Sequence, residues 1–186
     1  MTSKTSSHLI HITLSHTCKL LDVQSHLPLE SVHRAYDSKH RLILFDEIGF
    51  VYLRGQLMTV GGLTFMGSIV KGTDSRVSFS LAKQKPWWRR KQQETLIPPS
   101  IHVSISNRGK LLDLSYLGED EPTITYYQRN TIAKIDDVSL HYGKDKHRIT
   151  KIGNLCIETL FERFSTVTGC DPRIAVTLID HKTWRR

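Results

Sequence analysis

The chain is poor in the residues and spacings that mark most recognisable chemistry. Its three cysteines, Cys18, Cys156 and Cys170, form no CxxC pair and cannot all pair with one another. That usage suits buried thiols in a reducing compartment. There is no HExxH and no CxxC with a downstream HxxxH, so the ten histidines have no zinc-site spacing. His8 and His11 fall on opposite faces of an extended segment, and His26, His33 and His40 recur every seven residues without a common face. No GxSxG elbow, Walker A loop or dinucleotide fingerprint occurs. The adjacent acids Asp46-Glu47, Glu119-Asp120-Glu121 and Asp136-Asp137 read as solvated turn caps rather than acid/base pairs. These absences point away from an enzyme and from a bound metal or cofactor.

Long apolar runs are also missing. No stretch approaches the ~20 residues of a membrane-spanning helix. The first seven residues are polar and read as a loose tail without a secretory signal, and Thr2 and the terminal Trp-Arg-Arg exclude the common lipidation motifs. Any membrane contact is expected to be peripheral. At 186 residues, the remainder (8–186) reads as one globular domain.

What the chain does have is a local excess of positive charge. Residues 1–93 hold 13 Lys/Arg against 6 Asp/Glu, whereas 94–186 hold 13 against 12. Five of those cations sit in one nine-residue stretch without an acid: Lys83, Lys85, Arg89, Arg90 and Lys91, around the adjacent pair Trp87 and Trp88. Pro98 and Pro99 close the stretch downstream. Tryptophans favour burial and cations favour water or a polyanion, so 83–100 reads as an exposed basic-aromatic loop that meets an anionic surface. The alternative is that one tryptophan caps the core above a solvated rim. A second basic cluster follows at Lys144, Lys146, Arg148 and Lys151. Five cations near an anionic leaflet contribute on the order of 5 kcal/mol; a base stacked on tryptophan contributes roughly 1–3 kcal/mol. Magnitude leaves lipid and nucleic acid both open.

Hydrophobic periodicity predicts an α+β fold, with a mostly antiparallel sheet, a short N-terminal helix and a longer C-terminal one. Ile10, Ile12 and Leu14 alternate with His11, Thr13 and Ser15 as in a strand. Pro28 followed by Leu29, Val32 and Tyr36 predicts a helix over 28–36. Strands are expected at 41–45, at 49–60 with a bulge or a close backbone approach at Gly55, at 63–70 and at 77–81. The clearest hairpin joins Ile101, Val103 and Ile105 to 110–117 through Asn107-Arg108-Gly109. Further strands are expected at 123–127 and 138–142. Asn154 as N-cap, with Leu155, Cys156, Leu160, Phe164 and Val167 on one face, predicts the second helix and places Cys156 in the core. A closing strand runs from Arg173 to Ile179. No internal repeat is evident at this level.

That order of elements, in a small, basic, cysteine-poor chain, resembles the matrix proteins of non-segmented negative-strand RNA viruses. The similarity is nearest to plant-infecting, cytorhabdovirus-like rhabdoviruses. It lies in layout and composition over residues 8–180. Pro98-Pro99-Ser100 is not a PPxY motif, and a lysine-rich N-terminal tail is missing. The resemblance implies a virion protein beneath the envelope, found in the host cytoplasm and peripherally on membranes, with the nucleus as a further location left open. Such a protein self-associates and bridges the nucleocapsid to an anionic membrane, with no small-molecule substrate. It implies that Trp87, Trp88, Pro98 and Pro99 anchor a neighbouring copy. The other reading is an RNA-binding viral accessory protein, a silencing suppressor or movement factor, using the same loop.

Overall fold

The computed structural model describes residues 9–27, 29–67, 69–83, 98–128, 130–144, 147–161 and 163–180. Among them the chain forms eighteen strands and a single 3-10 turn, Leu29–Ser31. The first nine strands are β1 (Ile10–Ser15), β2 (Leu20–Ser25), β3 (Arg34–Tyr36), β4 (Leu42–Phe45), β5 (Ile48–Leu53), β6 (Gln56–Val60), β7 (Leu63–Met66), β8 (Ile69–Gly72) and β9 (Val77–Ala82). The next nine are β10 (Ile101–Ser106), β11 (Leu111–Tyr116), β12 (Ile124–Tyr126), β13 (Ile132–Ile135), β14 (Val138–Tyr142), β15 (Ile149–Ile152), β16 (Leu155–Leu160), β17 (Phe164–Gly169) and β18 (Asp171–Ile179).

The fold is therefore all-β, which overturns the α+β expectation. At 28–36 only one 3-10 turn forms before β3 pairs with β4. The His33 N–H donates to the Asp46 carboxylate (3.0 Å), and the Asp46 N–H donates to the His33 carbonyl (2.7 Å). The β4–β5 turn thus takes the backbone groups a helix would have needed. The second expected helix is the β16–β17 hairpin. Leu155 and Ile157 are buried while Cys156, Leu160 and Phe164 are exposed, so the operative period is two and Cys156 lies outside the core. Asn154 is not an N-cap; it sits in the turn between β15 and β16. Gly55 marks no bulge either. With Arg54 it makes a hairpin turn with φ of +50° and +82°, the left-handed geometry that matches strand twist.

Two sheets result. One has six strands in the order β11-β10-β18-β9-β1-β2, with β1–β9 and β10–β18 parallel. The other has twelve, β12-β13-β14-β15-β16-β17-β8-β7-β6-β5-β4-β3, an antiparallel meander in each half joined where β8 meets β17. Both orders read the same from either end once β1–β9 are exchanged for β10–β18. The chain is a tandem duplication about a pseudo-twofold axis between β9 and β18 and between β8 and β17.

The duplication was missed in the sequence and is visible there once the register is known. Ile10-His-Ile-Thr-Leu-Ser15 matches Ile101-His-Val-Ser-Ile-Ser106, and Lys19-Leu-Leu-Asp-Val23 matches Lys110-Leu-Leu-Asp-Leu114. Tyr52 and Tyr142 donate their hydroxyls to the equivalent carbonyls of Leu42 (3.0 Å) and Ile132 (3.1 Å). Gly72 (φ +96°) and Gly169 (φ +103°) occupy one equivalent position; an added Cβ would lie 2.2 Å from the Gly62 carbonyl oxygen in one half and 2.3 Å from that of Asn154 in the other.

The core lies between the sheets. Ile10, Ile12, Leu14, Val77, Phe79 and their second-half counterparts face Phe45, Ile48, Leu57, Phe65, Leu140, Ile152 and Val167. Phe65 and Phe79 meet edge to face across the gap, with centroids 6.4 Å apart. The opposite face of the six-stranded sheet is also buried but polar, carrying His11, Thr13, Ser15, Ser78, Ser80, His102, Ser104, Ser106 and Thr177.

Candidate functional site

Two sets of groups have the chemistry of a site. The first is the buried polar layer. His11 Nδ1 lies 2.7 Å from Ser78 Oγ and its Nε2 3.1 Å from Ser80 Oγ. In the other half His102 Nε2 lies 2.9 Å from Thr177 Oγ1. A Ser–His contact of this length is what an activated nucleophile requires. Here, however, both partners are buried and His11 spends its second nitrogen on another hydroxyl. Within the layer His11, Ser78, Ser80, His102 and Thr177 bond one another's side chains, the usual arrangement for buried hydroxyls and imidazoles. Burial, and then repulsion from His11 and His26, push His102 down to about 4, so it is neutral near pH 7. Among the described residues no group of three or more His, Cys, Asp or Glu side chains is placed to hold a metal ion.

The second set is a pair of corners at the ends of β9 and β18. At the first, the β1–β2 turn closes against three elements. His16 N–H donates to the Ala82 carbonyl (3.1 Å) at the end of β9, and Leu57 N–H donates to the Cys18 carbonyl (2.9 Å). The Cys18 thiol meets the Gly67 carbonyl in the β7–β8 turn. Lys19 and Lys83 are exposed here, next to the half-exposed Met66.

The second corner repeats the arrangement with more charge and more apolar surface. The β10–β11 turn is held by Asn107 N–H to the Ile179 carbonyl (3.0 Å), Ile149 N–H to the Gly109 carbonyl (2.9 Å) and Ser165 Oγ to the Ser106 carbonyl (3.0 Å). Arg108 and Lys110 project from this turn, and Lys110 bridges to Arg148 in the neighbouring segment. A cleft of about 460 Å³ follows, lined by Lys144, Arg148, Ile157 and Thr159 among others. Beside it stands the β16–β17 tip, with Arg163 exposed and Leu160, Phe161 and Phe164 uncovered. Phe161 is 88% exposed at φ +52°, a backbone region unfavourable to a bulky L-residue.

The structure assembles some of the expected cations and separates others. Lys144 and Arg148 belong to the second corner; Lys151 is exposed further along β15, opposite Cys156. Lys83 is exposed at the first corner. Pro98 is exposed and Pro99 half-buried where the chain enters β10, beside the Ser100 N–H to Arg173 carbonyl bond (2.9 Å). Lys85, Trp87, Trp88, Arg89, Arg90, Lys91 and Lys146 lie outside the described residues. β9 and β10 flank β18 and place Lys83 and Pro98 at the same end of the sheet, on strands ~10 Å apart.

Sequence reasoning missed Arg108, Lys110, Arg163, Leu160, Phe161 and Phe164, which come together only through the fold. It also missed a second copy of the basic-aromatic pattern. Lys85-Pro-Trp-Trp-Arg-Arg90 follows β9, and Lys182-Thr-Trp-Arg-Arg186 follows β18 at the equivalent offset. Because β9 and β18 are antiparallel neighbours, the two segments begin at opposite ends of the sheet. No protein-family model, curated protein or solved structure matches the chain.

Proposed function

We propose that the chain is a structural, self-associating protein that bridges two polyanionic surfaces, in the manner of a viral matrix protein joining a nucleocapsid to an anionic membrane. One observation carries the reading: each half ends in a Lys-x-Trp segment rich in arginine, and the antiparallel β9–β18 pair launches the two from opposite ends of the molecule. Opposed contacts suit a bridge, whereas clustering on one face would suit a single ligand. The two helices of the matrix-like layout are replaced by strands, so support for this role now rests on composition and on the two-ended arrangement. Each segment supplies charge for phosphates and indole for a headgroup layer or a base, and self-association of the chain multiplies the contacts on each surface by avidity.

The test is clustering of anionic vesicles, and of vesicles with RNA, followed by light scattering across a salt series. The native chain is expected to bind and to cluster. Trp87→Ala with Trp88→Ala, or Trp184→Ala, each should leave binding through the remaining segment but abolish clustering, with the thermal transition unchanged. A native chain that binds RNA alone, never floats with vesicles and stays monomeric at every concentration overturns the bridge in favour of an RNA-binding accessory protein. A collapsed thermal transition in the tryptophan variants places those side chains in the core and defeats the contact role.

A further inference from the structure

A cleft of about 470 Å³ opens at the first-half edge of the molecule, between β2 of the six-stranded sheet and β3–β5 of the twelve-stranded one. Its walls combine Lys19, Arg34 and Arg41 with Tyr36, Phe45 and Tyr52, over an aliphatic floor that includes Leu20 and Val23. No acid lines it. Both guanidiniums lie over rings: the Arg34 Cζ is 5.2 Å from the Phe45 centroid and the Arg41 Cζ 4.8 Å from that of Tyr52. Arg41 is further fixed by Asp37, whose carboxylate takes the Arg41 Nε–H at 2.8 Å. Counting that carboxylate, the three cations leave a net of about two positive charges. Tyr36, 54% exposed, offers a free ring face at the mouth.

The duplication supplies an internal comparison. A second-half cleft, lined by Tyr127, Thr131, His141 and Tyr142 among others, shares with the first the positions of Arg41 and Tyr52. Strand register sets Arg34 against Ile124, and the β3–β4 and β12–β13 turns set Arg41 against Thr131. Tyr36 and Tyr52 have ring counterparts in Tyr126 and Tyr142, whereas Phe45 corresponds to Ile135 and both arginines occur in the first half alone.

We propose that the first-half cleft binds a nucleotide unit of single-stranded nucleic acid, with the phosphate on Lys19 and Arg34 and the base on Tyr36. The volume lies in the range of small-ligand sites. Planar, pre-positioned guanidinium is the group best matched to phosphate, and ring stacking tolerates any base. The proposal deepens the polyanion reading by assigning nucleic acid to the first-half end of the molecule, yet it stands on side chains separate from the tryptophan segments.

Isothermal titration of the full chain with a nucleoside monophosphate, the parent nucleoside and inorganic phosphate tests it. The monophosphate is expected to bind about 10-fold or more tighter than either fragment. Arg34→Gln should weaken monophosphate and inorganic phosphate alike by about 10-fold. Tyr36→Ala should weaken the monophosphate by a similar factor, at 1–3 kcal/mol per stacked base, and leave phosphate unchanged. Lys110→Gln, at the second corner, should change neither. Equal binding of monophosphate and phosphate, or indifference to both cleft substitutions, overturns the site. Loss of mononucleotide binding with vesicle clustering intact would sink this proposal alone; intact mononucleotide binding without clustering would sink the bridge alone.

Discussion

Asp171 repeats in the second half the bonding of Asp74 in the first. Asp74 accepts from the Gly62 N–H (2.9 Å), the Arg76 N–H (3.0 Å) and the Arg76 guanidinium (2.9 and 2.8 Å). Asp171 accepts from the Asn154 N–H (3.0 Å), the Arg173 N–H (3.2 Å) and the Arg173 guanidinium (2.8 and 2.7 Å). Each carboxylate ties a hairpin turn of the twelve-stranded sheet to the start of β9 or β18, the strands on the pseudo-twofold axis.

Burial opposes ionisation of both carboxylates, but the guanidinium and amide bonds overcome it and hold both below the usual 3.8. A folded value below the unfolded one means that this stability is present above pH ~3.8 and is lost as pH falls through the folded values. Asp171→Asn and Asp74→Asn are each expected to cost about 2 kcal/mol. That is below the 3–5 kcal/mol of a fully buried pair because the arginines keep a third of their surface in water. Urea midpoints at pH 7 check this, and the difference from the native chain should shrink near pH 3.

His102 gives a second, higher pH window. Its folded value of about 4 lies below the ordinary 6.5, so the unfolded chain binds the proton more readily. Stability is complete above pH ~6.5 and declines as pH falls toward 4, by about 3 kcal/mol in all. His102→Gln should flatten the stability profile between pH 6.5 and 4 as read by denaturant unfolding. An unchanged slope would show that His102 is hydrated.

Phe161 at φ +52° gains almost no burial to offset its backbone conformation. Phe161→Gly is expected to raise stability by about 0.5–1 kcal/mol. The same substitution should weaken vesicle binding, since it removes the most exposed ring of the second corner. A rise in stability with binding untouched would leave Phe161 without a role at that corner.

A fragment ending at residue 98 would expose the paired edges of β8 and β9, which in the whole chain meet β17 and β18. Open edges with buried-type side chains recruit other strands. The fragment is expected to dimerise or aggregate, as light scattering would show; a stable monomer would mean each half carries its own complete core.

Period-two alternation made most strands readable, and the Ile101–Tyr116 hairpin forms at the expected place, with a register shift at Ser104/Ile105 that pairs Ile105 with Leu111. The helices failed because Leu155, Leu160 and Phe164 fit a helical face as well as a hairpin. Apolar spacing alone does not say which of them will be left in water. At 28–36 the deciding partner, Asp46, lies in a distant turn. The repeat was legible in Ile-His and Lys-Leu-Leu-Asp, but the halves differ in spacing, which blurs a comparison at fixed offset.

Composition and local charge alone determined that positive charge is concentrated around Trp87 and Trp88, and that no familiar catalytic spacing is present. These are properties of residues close together in the chain. The tertiary structure decided what long-range pairing decides: that the chain is duplicated, that β9 and β18 finish at opposite ends of the sheet, and that Lys19 and Arg34 share a cleft. Strand pairing between residues dozens of positions apart sets those relations. No local pattern encodes the direction in which one half meets the other.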